Sequence, residues 1–299
     1  MMAVQGLWCE STQVTRGDIW QLGRHRLMCG DSTNGAEVAM LMAGAKATAV
    51  VTDPPYGIIH AEWDIVTLGF VDHLRDASEE TATCVLFCTL PFGFTLHSAM
   101  LSAGYQWRWD SVWTKSNGGF RISSYTPRPA HEHLFAYARR GIKASDLTFN
   151  GWDAGEKEHP WQRINRSGVG DTTEVYRRSY PPTSQGQEDG QRWIRSVIPG
   201  KEKTVMPVRE RTPHPTQKPL EVVTKLVLLL SHVDNVVYDP FLGSGTTLIA
   251  GQRTGRRVYG MERSPTYCEL IIQRWQQSTG QKPVKVHDGY SPQTSAAAG

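Results

Sequence analysis

The chain has 299 residues, 39% of them hydrophobic and 20% charged, with a net charge of +3. That length suffices for one large α/β domain with an insertion, and the balance excludes a chain disordered throughout. No apolar stretch approaches the roughly 20 residues of a membrane span, no secretory signal opens the chain, and the five cysteines lack Cys-x-x-Cys spacing. A cytoplasmic protein with reduced core thiols, no membrane contact and no metal site is expected.

Residues 1–17 read as a loose lead-in. Ile19–Leu22 and His25–Cys29 read as short strands around Gly23-Arg24, and Gly30-Asp31 ends the second. Ala36–Met42 has helical spacing. Ala47–Thr52 is a small, β-branched run that breaks at Asp53-Pro54-Pro55-Tyr56-Gly57, as a buried parallel strand breaks at the ligand-bearing edge of a sheet. Phe70–Ala77 reads as a helix, Cys84–Cys88 as a strand and Thr95–Ala103 as a helix ended by Gly104. Tyr105–Trp113 and His133–Tyr137 alternate like strands.

The pattern then fails. From Arg139 to Arg211 there are 14 Lys and Arg against 10 Asp and Glu, an excess suited to phosphate contact, with Trp152, Trp161 and Trp193 among them. This stretch reads as an inserted recognition region, partly loop. Regularity returns with a helix from Pro219 to about Ser231 and a strand ending at Tyr238. A helix over Thr246–Arg253, a strand over Arg257–Met261 and a helix over Pro265–Ser278 follow. Strand–helix alternation implies right-handed crossovers and a doubly wound, mostly parallel sheet.

Asp239-Pro240-Phe241-Leu242-Gly243-Ser244-Gly245 lies between a strand and a helix. Its glycines let backbone approach a ligand closely, and the helix start offers free N–H groups. The third glycine of a dinucleotide fingerprint is absent, since that position is Leu248, and no Gly-Lys-Ser/Thr follows for a phosphate loop. Asp239 would repel a pyrophosphate but attract a cationic amine. Glu262, 17 residues past Gly245 and just after the next strand, is placed to accept hydrogen bonds from a ribose diol.

Asp53-Pro54-Pro55-Tyr56 together with the Asp239–Gly245 loop resembles the catalytic and cofactor motifs of the β class of DNA amino-methyltransferases, which use S-adenosylmethionine (SAM). The resemblance covers residues 18–137 and 212–278. It implies a Rossmann-like α/β fold, a doubly wound, mostly parallel seven-stranded sheet with an inserted target-recognition region. The division is a catalytic half over 18–140, the insertion over 141–211, a SAM-binding half over 212–280 and a tail over 281–299. Asp239 would hold the amino group of SAM, and Glu262 its ribose. Phe241, Gly243, Gly245 and Thr246 would line the cofactor. Thr216 and Lys218 of His214-Pro215-Thr216-Gln217-Lys218-Pro219 would lie near its methionine carboxylate, and Asp31 near its adenine.

An exocyclic amine is a poor nucleophile because its lone pair is delocalised into the ring. The resemblance makes Asp53 and the Pro54 carbonyl acceptors for the two amine protons, Pro55 a stiffener and Tyr56 a stacking surface for a base flipped out of double-stranded DNA. No metal and no covalent intermediate are implied. Asp in the first position favours adenine N6. Cytosine N4 methylation, and a DNA- or SAM-binding protein without catalysis, stay open as alternatives. A homodimer and a cognate restriction endonuclease are partners the family would suggest. Trp63 reads as core ahead of a base-pocket wall, and Lys115 equally as an exposed loop residue or one near a phosphate. His131-Glu132-His133 reads as structural or as part of a base pocket, because alternation puts Glu132 opposite both histidines.

Overall fold

The computed structural model describes residues 13–57, 64–115, 125, 127, 129–151, 154, 194, 196–198 and 211–288. Its strands are β1 (Ile19–Leu22), β2 (His25–Cys29), β3 (Ala47–Thr52), β4 (Ser78–Cys88), β5 (Tyr105–Thr114), β6 (His131–Arg139), β7 (Val197–Ile198), β8 (Val236–Asp239), β9 (Arg257–Glu262) and β10 (Val284–His287). Its α-helices are α1 (Gly35–Met42), α2 (Phe70–Ala77), α3 (Phe92–Ser102), α4 (Leu220–Leu230), α5 (Thr246–Thr254) and α6 (Pro265–Thr279).

All ten strands form one sheet in the order β10-β1-β2-β9-β8-β3-β4-β6-β5-β7. The run β2-β9-β8-β3-β4 is parallel throughout, and β6 lies antiparallel between β4 and β5. The expected count is corrected from seven to ten by three edge strands. β1 and β10 extend one edge in antiparallel pairing, and β7 adds to β5 at the other. Val284–His287 falls in the stretch read as a tail. All four residues are exposed, so no hydrophobic pattern marks them, and backbone pairing to β1 makes the strand.

The central strands are buried on both faces, which explains why they read as continuous apolar runs: every residue of β8 is buried. One face packs against α4, α5 and α6 through Leu226, Val227, Leu248, Ile249, Ile271 and Trp275. The other packs against α1, α2 and α3 through Leu41, Leu74, Leu96 and Met100. Local chemistry sets the helix starts. Asn34 accepts from the Ala36 and Glu37 N–H groups to open α1. Ser264 accepts from Tyr267 to open α6, with Pro265 at the first helical position. Among the described residues no helix is long and apolar enough to cross a membrane.

Candidate active site

Four parallel strands end in carboxylates on one edge of the sheet. Asp31 follows β2, Glu262 closes β9, Asp239 closes β8 and Asp53 follows β3. Since these strands are consecutive neighbours, the acids line up along roughly 14 Å of the carboxyl edge, three strand spacings of about 4.8 Å. Two hydrogen bonds stitch the row together. Gly30 N–H donates to the Glu262 carbonyl at 3.0 Å, and the Thr52 hydroxyl donates to Asp239 Oδ1 at 2.7 Å.

Asp239 is 3% exposed and accepts a second hydrogen bond from Phe241 N–H at 3.0 Å. Burial nevertheless pushes its carboxyl up to about 6. Glu262 accepts from Gly243 N–H at 2.9 Å and Ser264 N–H at 2.8 Å, and burial raises it to about 7. The cost of charging these acids persists because, among the described residues, neither forms an ion pair with Lys or Arg. Asp31 differs. Its partial burial is outweighed by hydrogen bonds from Thr33 N–H and hydroxyl, 3.0 and 2.7 Å, and by Arg263 and Arg16, so its carboxyl sits below the ordinary range.

The loop between Asp239 and α5 turns through Gly243 (φ 52°) and Gly245 (φ 78°), left-handed conformations that disfavour a side chain. A Cβ on Gly245 would meet Ile271 at 2.9 Å, and one on Gly243 would meet the His214 ring at 3.1 Å. His214 packs on Tyr267 with ring centroids 4.6 Å apart, and burial lowers its pKa to about 4, so the ring is neutral at physiological pH. Thr216 N–H reaches His214 Nδ1 at 3.4 Å, and the Thr246 hydroxyl donates to the Lys218 carbonyl at 3.3 Å. The His214–Pro219 segment is thus fastened over the loop. Phe241 meets Phe70 edge to face at 4.9 Å.

At Asp53 both carboxylate oxygens are engaged. The Tyr56 hydroxyl donates to Oδ1 and the Lys218 ammonium to Oδ2. Asp64, itself buried, accepts from the Tyr56 and Gly57 N–H groups at 3.0 and 2.9 Å and so pins the end of the Asp-Pro-Pro-Tyr turn. Pro54 is buried, Pro55 is half-buried, and the Tyr56 ring lies 5.4 Å from that of Phe92. Burial raises the Asp53 carboxyl despite the opposing Lys218 charge, with the nearby Glu132 adding to the rise. Burial alone would discharge Lys218, but Asp53 and Glu132 together hold its proton.

The thirteen residues singled out from the sequence therefore fall along one sheet edge and the segments over it. The placement of the Lys218 ammonium on Asp53 and Glu132 was not suggested by its motif. Thr52 and Asp64 were not singled out, and Glu132 was read only within His131-Glu132-His133 as structural or part of a base pocket. Glu132 carried a readable signal: an acid in the buried phase of an alternating strand needs a partner. Its neighbours His131 and His133 meet edge to face with ring centroids 5.0 Å apart, and among the described residues no cluster of His, Cys, Asp and Glu is arranged to hold a metal. Trp63, Trp152, Trp161 and Trp193 lie outside the described residues.

Residues 47–273 match the family model described as DNA methylase. The chain belongs to the DNA methylase family. It is 41% identical over 66 residues to the type II methyltransferase M2.MboI of Moraxella bovis, covering 22% of this chain and 24% of that protein. It is 33% identical over 91 residues to the type II methyltransferase M.HinfI of Haemophilus influenzae, 30% of this chain and 25% of that one. Each match thus spans about a quarter of the relative's length. Among solved structures, M1.HpyAVI complexed with SAM superposes with a TM-score of 0.55 at 19% identity, over 83% of this chain and 98% of that one. TTHA0409 of Thermus thermophilus, complexed with SAM, gives 0.51 at 21% identity, over 89% and 99%. At such identities the likeness is one of fold. It bears out the Rossmann-like architecture of this DNA methylase.

Proposed function

We propose that this DNA methylase transfers a methyl group from SAM to the N6 amine of an adenine flipped out of double-stranded DNA. One observation carries the reading: Asp53 follows β3, Asp239 closes the neighbouring β8, and Thr52, adjacent to Asp53 in the chain, hydrogen-bonds Asp239. An amine acceptor and a cation acceptor are thereby built into one rigid edge. The residues fit SAM. Asp239 and Glu262 are carboxylates held in a costly buried state, which an ammonium and a ribose diol would relieve, and the Gly243–Gly245 turn leaves backbone open to close approach.

When bound, SAM supplies an electrophilic sulfonium methyl. Asp53 and the Pro54 carbonyl accept the amine protons, which pyramidalises the nitrogen and localises its lone pair at the expense of conjugation with the ring. As the nitrogen–carbon bond forms and the carbon–sulfur bond breaks, the nitrogen becomes cationic and must lose a proton. Asp53, with a raised proton affinity, stands next to it. The hydroxyl bond to Asp53 and the contact with Phe92 fix the Tyr56 ring for stacking on the base. Rate enhancement comes from orientation and electrostatic preorganisation.

The test is transfer of labelled methyl from SAM to duplex DNA, with the modified nucleoside identified by mass spectrometry. N6-methyladenine is expected. N4-methylcytosine would keep the mechanism and change the base. SAM and DNA binding without transfer would overturn the enzymatic reading.

A further inference from the structure

Behind Asp53 lies a row of charges that the amine-acceptor role does not require. Lys218 Nζ contacts Asp53 on one side and Glu132 Oε2, at 3.3 Å, on the other. Glu132 Oε1 is ion-paired with Lys115. Glu132 is 6% exposed and Lys218 9%, so the two central groups of the four sit where water screens little. Backbone register builds the row. Glu132 lies opposite Trp113 on β5, and Lys115 continues that strand, its N–H bonded to the Ala130 carbonyl at 2.7 Å. The Lys218 ammonium also lies 5.6 Å from the Tyr56 ring centroid and 5.3 Å from that of Phe87.

We propose that Glu132 is a positioning residue for the reaction, acting through Lys218: it balances that lysine's charge and seats it on Asp53, so that the amine acceptor is held oriented without net positive charge in the pocket. The inference rests on the methyl-transfer reading. With Lys115 and Lys218 positive and Glu132 and Asp53 negative, the row sums to zero. Removing the Glu132 charge would leave an uncompensated lysine beside a sulfonium and a nitrogen turning cationic, which opposes the transfer. The other titratable groups facing Asp53 are Tyr56, Asp239 and Cys88. The Cys88 thiol is pushed up to about 12 by burial and stays neutral.

The test compares Glu132→Gln and Lys115→Gln with the wild-type protein. Glu132→Gln removes a like charge from the surroundings of Asp53, so the acid limb of the kcat profile should move down by roughly one pH unit, with kcat falling about tenfold or more. Lys115→Gln leaves Glu132 less compensated and should move the limb up. Opposite shifts distinguish charge coupling from a packing role, which would move neither limb or both alike. Because Glu132→Gln could disturb folding, the Asp53 carboxyl carbon is also titrated by 13C NMR in each variant, assigned with Asp53→Asn. This readout needs no substrate. Opposite shifts there support the network even if the wild-type protein transfers no methyl group, an outcome that would sink the functional reading alone. Unmoved or parallel shifts in active protein would overturn the role of Glu132 and leave methyl transfer standing.

Discussion

Replacing Asp239 by Asn should stabilise the protein and disable it. The carboxyl is raised from 3.8 to about 6, so the folded state holds the proton more tightly than the unfolded chain. The resulting penalty is absent below the unfolded value of about 4, grows between about 4 and 6, and is complete above that. Two pKa units correspond to about 3 kcal/mol at pH 8. Asparagine keeps the acceptor that Thr52 and Phe241 use, and the Thr247 hydroxyl, which also bonds this carboxyl, must turn to accept from its amide, so the net gain should be about 1–3 kcal/mol. Urea unfolding should show that gain at pH 8, with a Tm rise of a few degrees, and none near pH 4, where the wild-type carboxyl is already protonated. Calorimetric titration at pH 8 should show SAM binding weakened by about 100-fold, since a charge-assisted bond contributes roughly 2–3 kcal/mol. A less stable variant at pH 8, or one with unchanged SAM affinity, would refute the assignment of Asp239 as a buried acid awaiting a cation.

Other outcomes follow from the same edge. Asp53→Ala should lower methyl transfer by about 10²–10⁴-fold while SAM affinity stays within about threefold, and appreciable turnover would remove Asp53 from the chemistry. Gly243→Val should abolish measurable SAM binding at a folding cost of about 1–3 kcal/mol, because φ is 52° and the new Cβ meets His214 at 3.1 Å; normal affinity would show that the turn does not contact the cofactor. SAM binding should tighten as pH rises through about 7, where Glu262 ionises to accept the diol, and Glu262→Gln should flatten that dependence. An equal pH dependence in the variant would assign it elsewhere.

Much of the molecule was written locally. The run Ala47–Thr52 is β3 to the residue, and the breaks at Asp53-Pro54 and Asp239-Pro240 fall where the strands end. Proline and glycine carry that information because they act through their own backbone. Of the three edge strands β1 was legible, but β7 and β10 were not, for the opposite reason. β10 buries nothing, and β7 is two residues long, so neither leaves a side-chain pattern. The motif containing Lys218 was visible, but its ammonium's partners were not.

By itself the sequence determined the two chemical turns, the alternation that makes a doubly wound sheet, and the acids at the strand ends, since each depends on a few consecutive residues. Only the tertiary structure decided that β3 and β8 are neighbours, that Asp31, Glu262, Asp239 and Asp53 share one edge, and that Glu132 and Lys218 meet behind Asp53. These contacts join residues 86 to 187 positions apart for the Asp53–Lys218, Lys218–Glu132 and Thr52–Asp239 pairs. Strand order is a property of the whole core, so no window of the chain contains it.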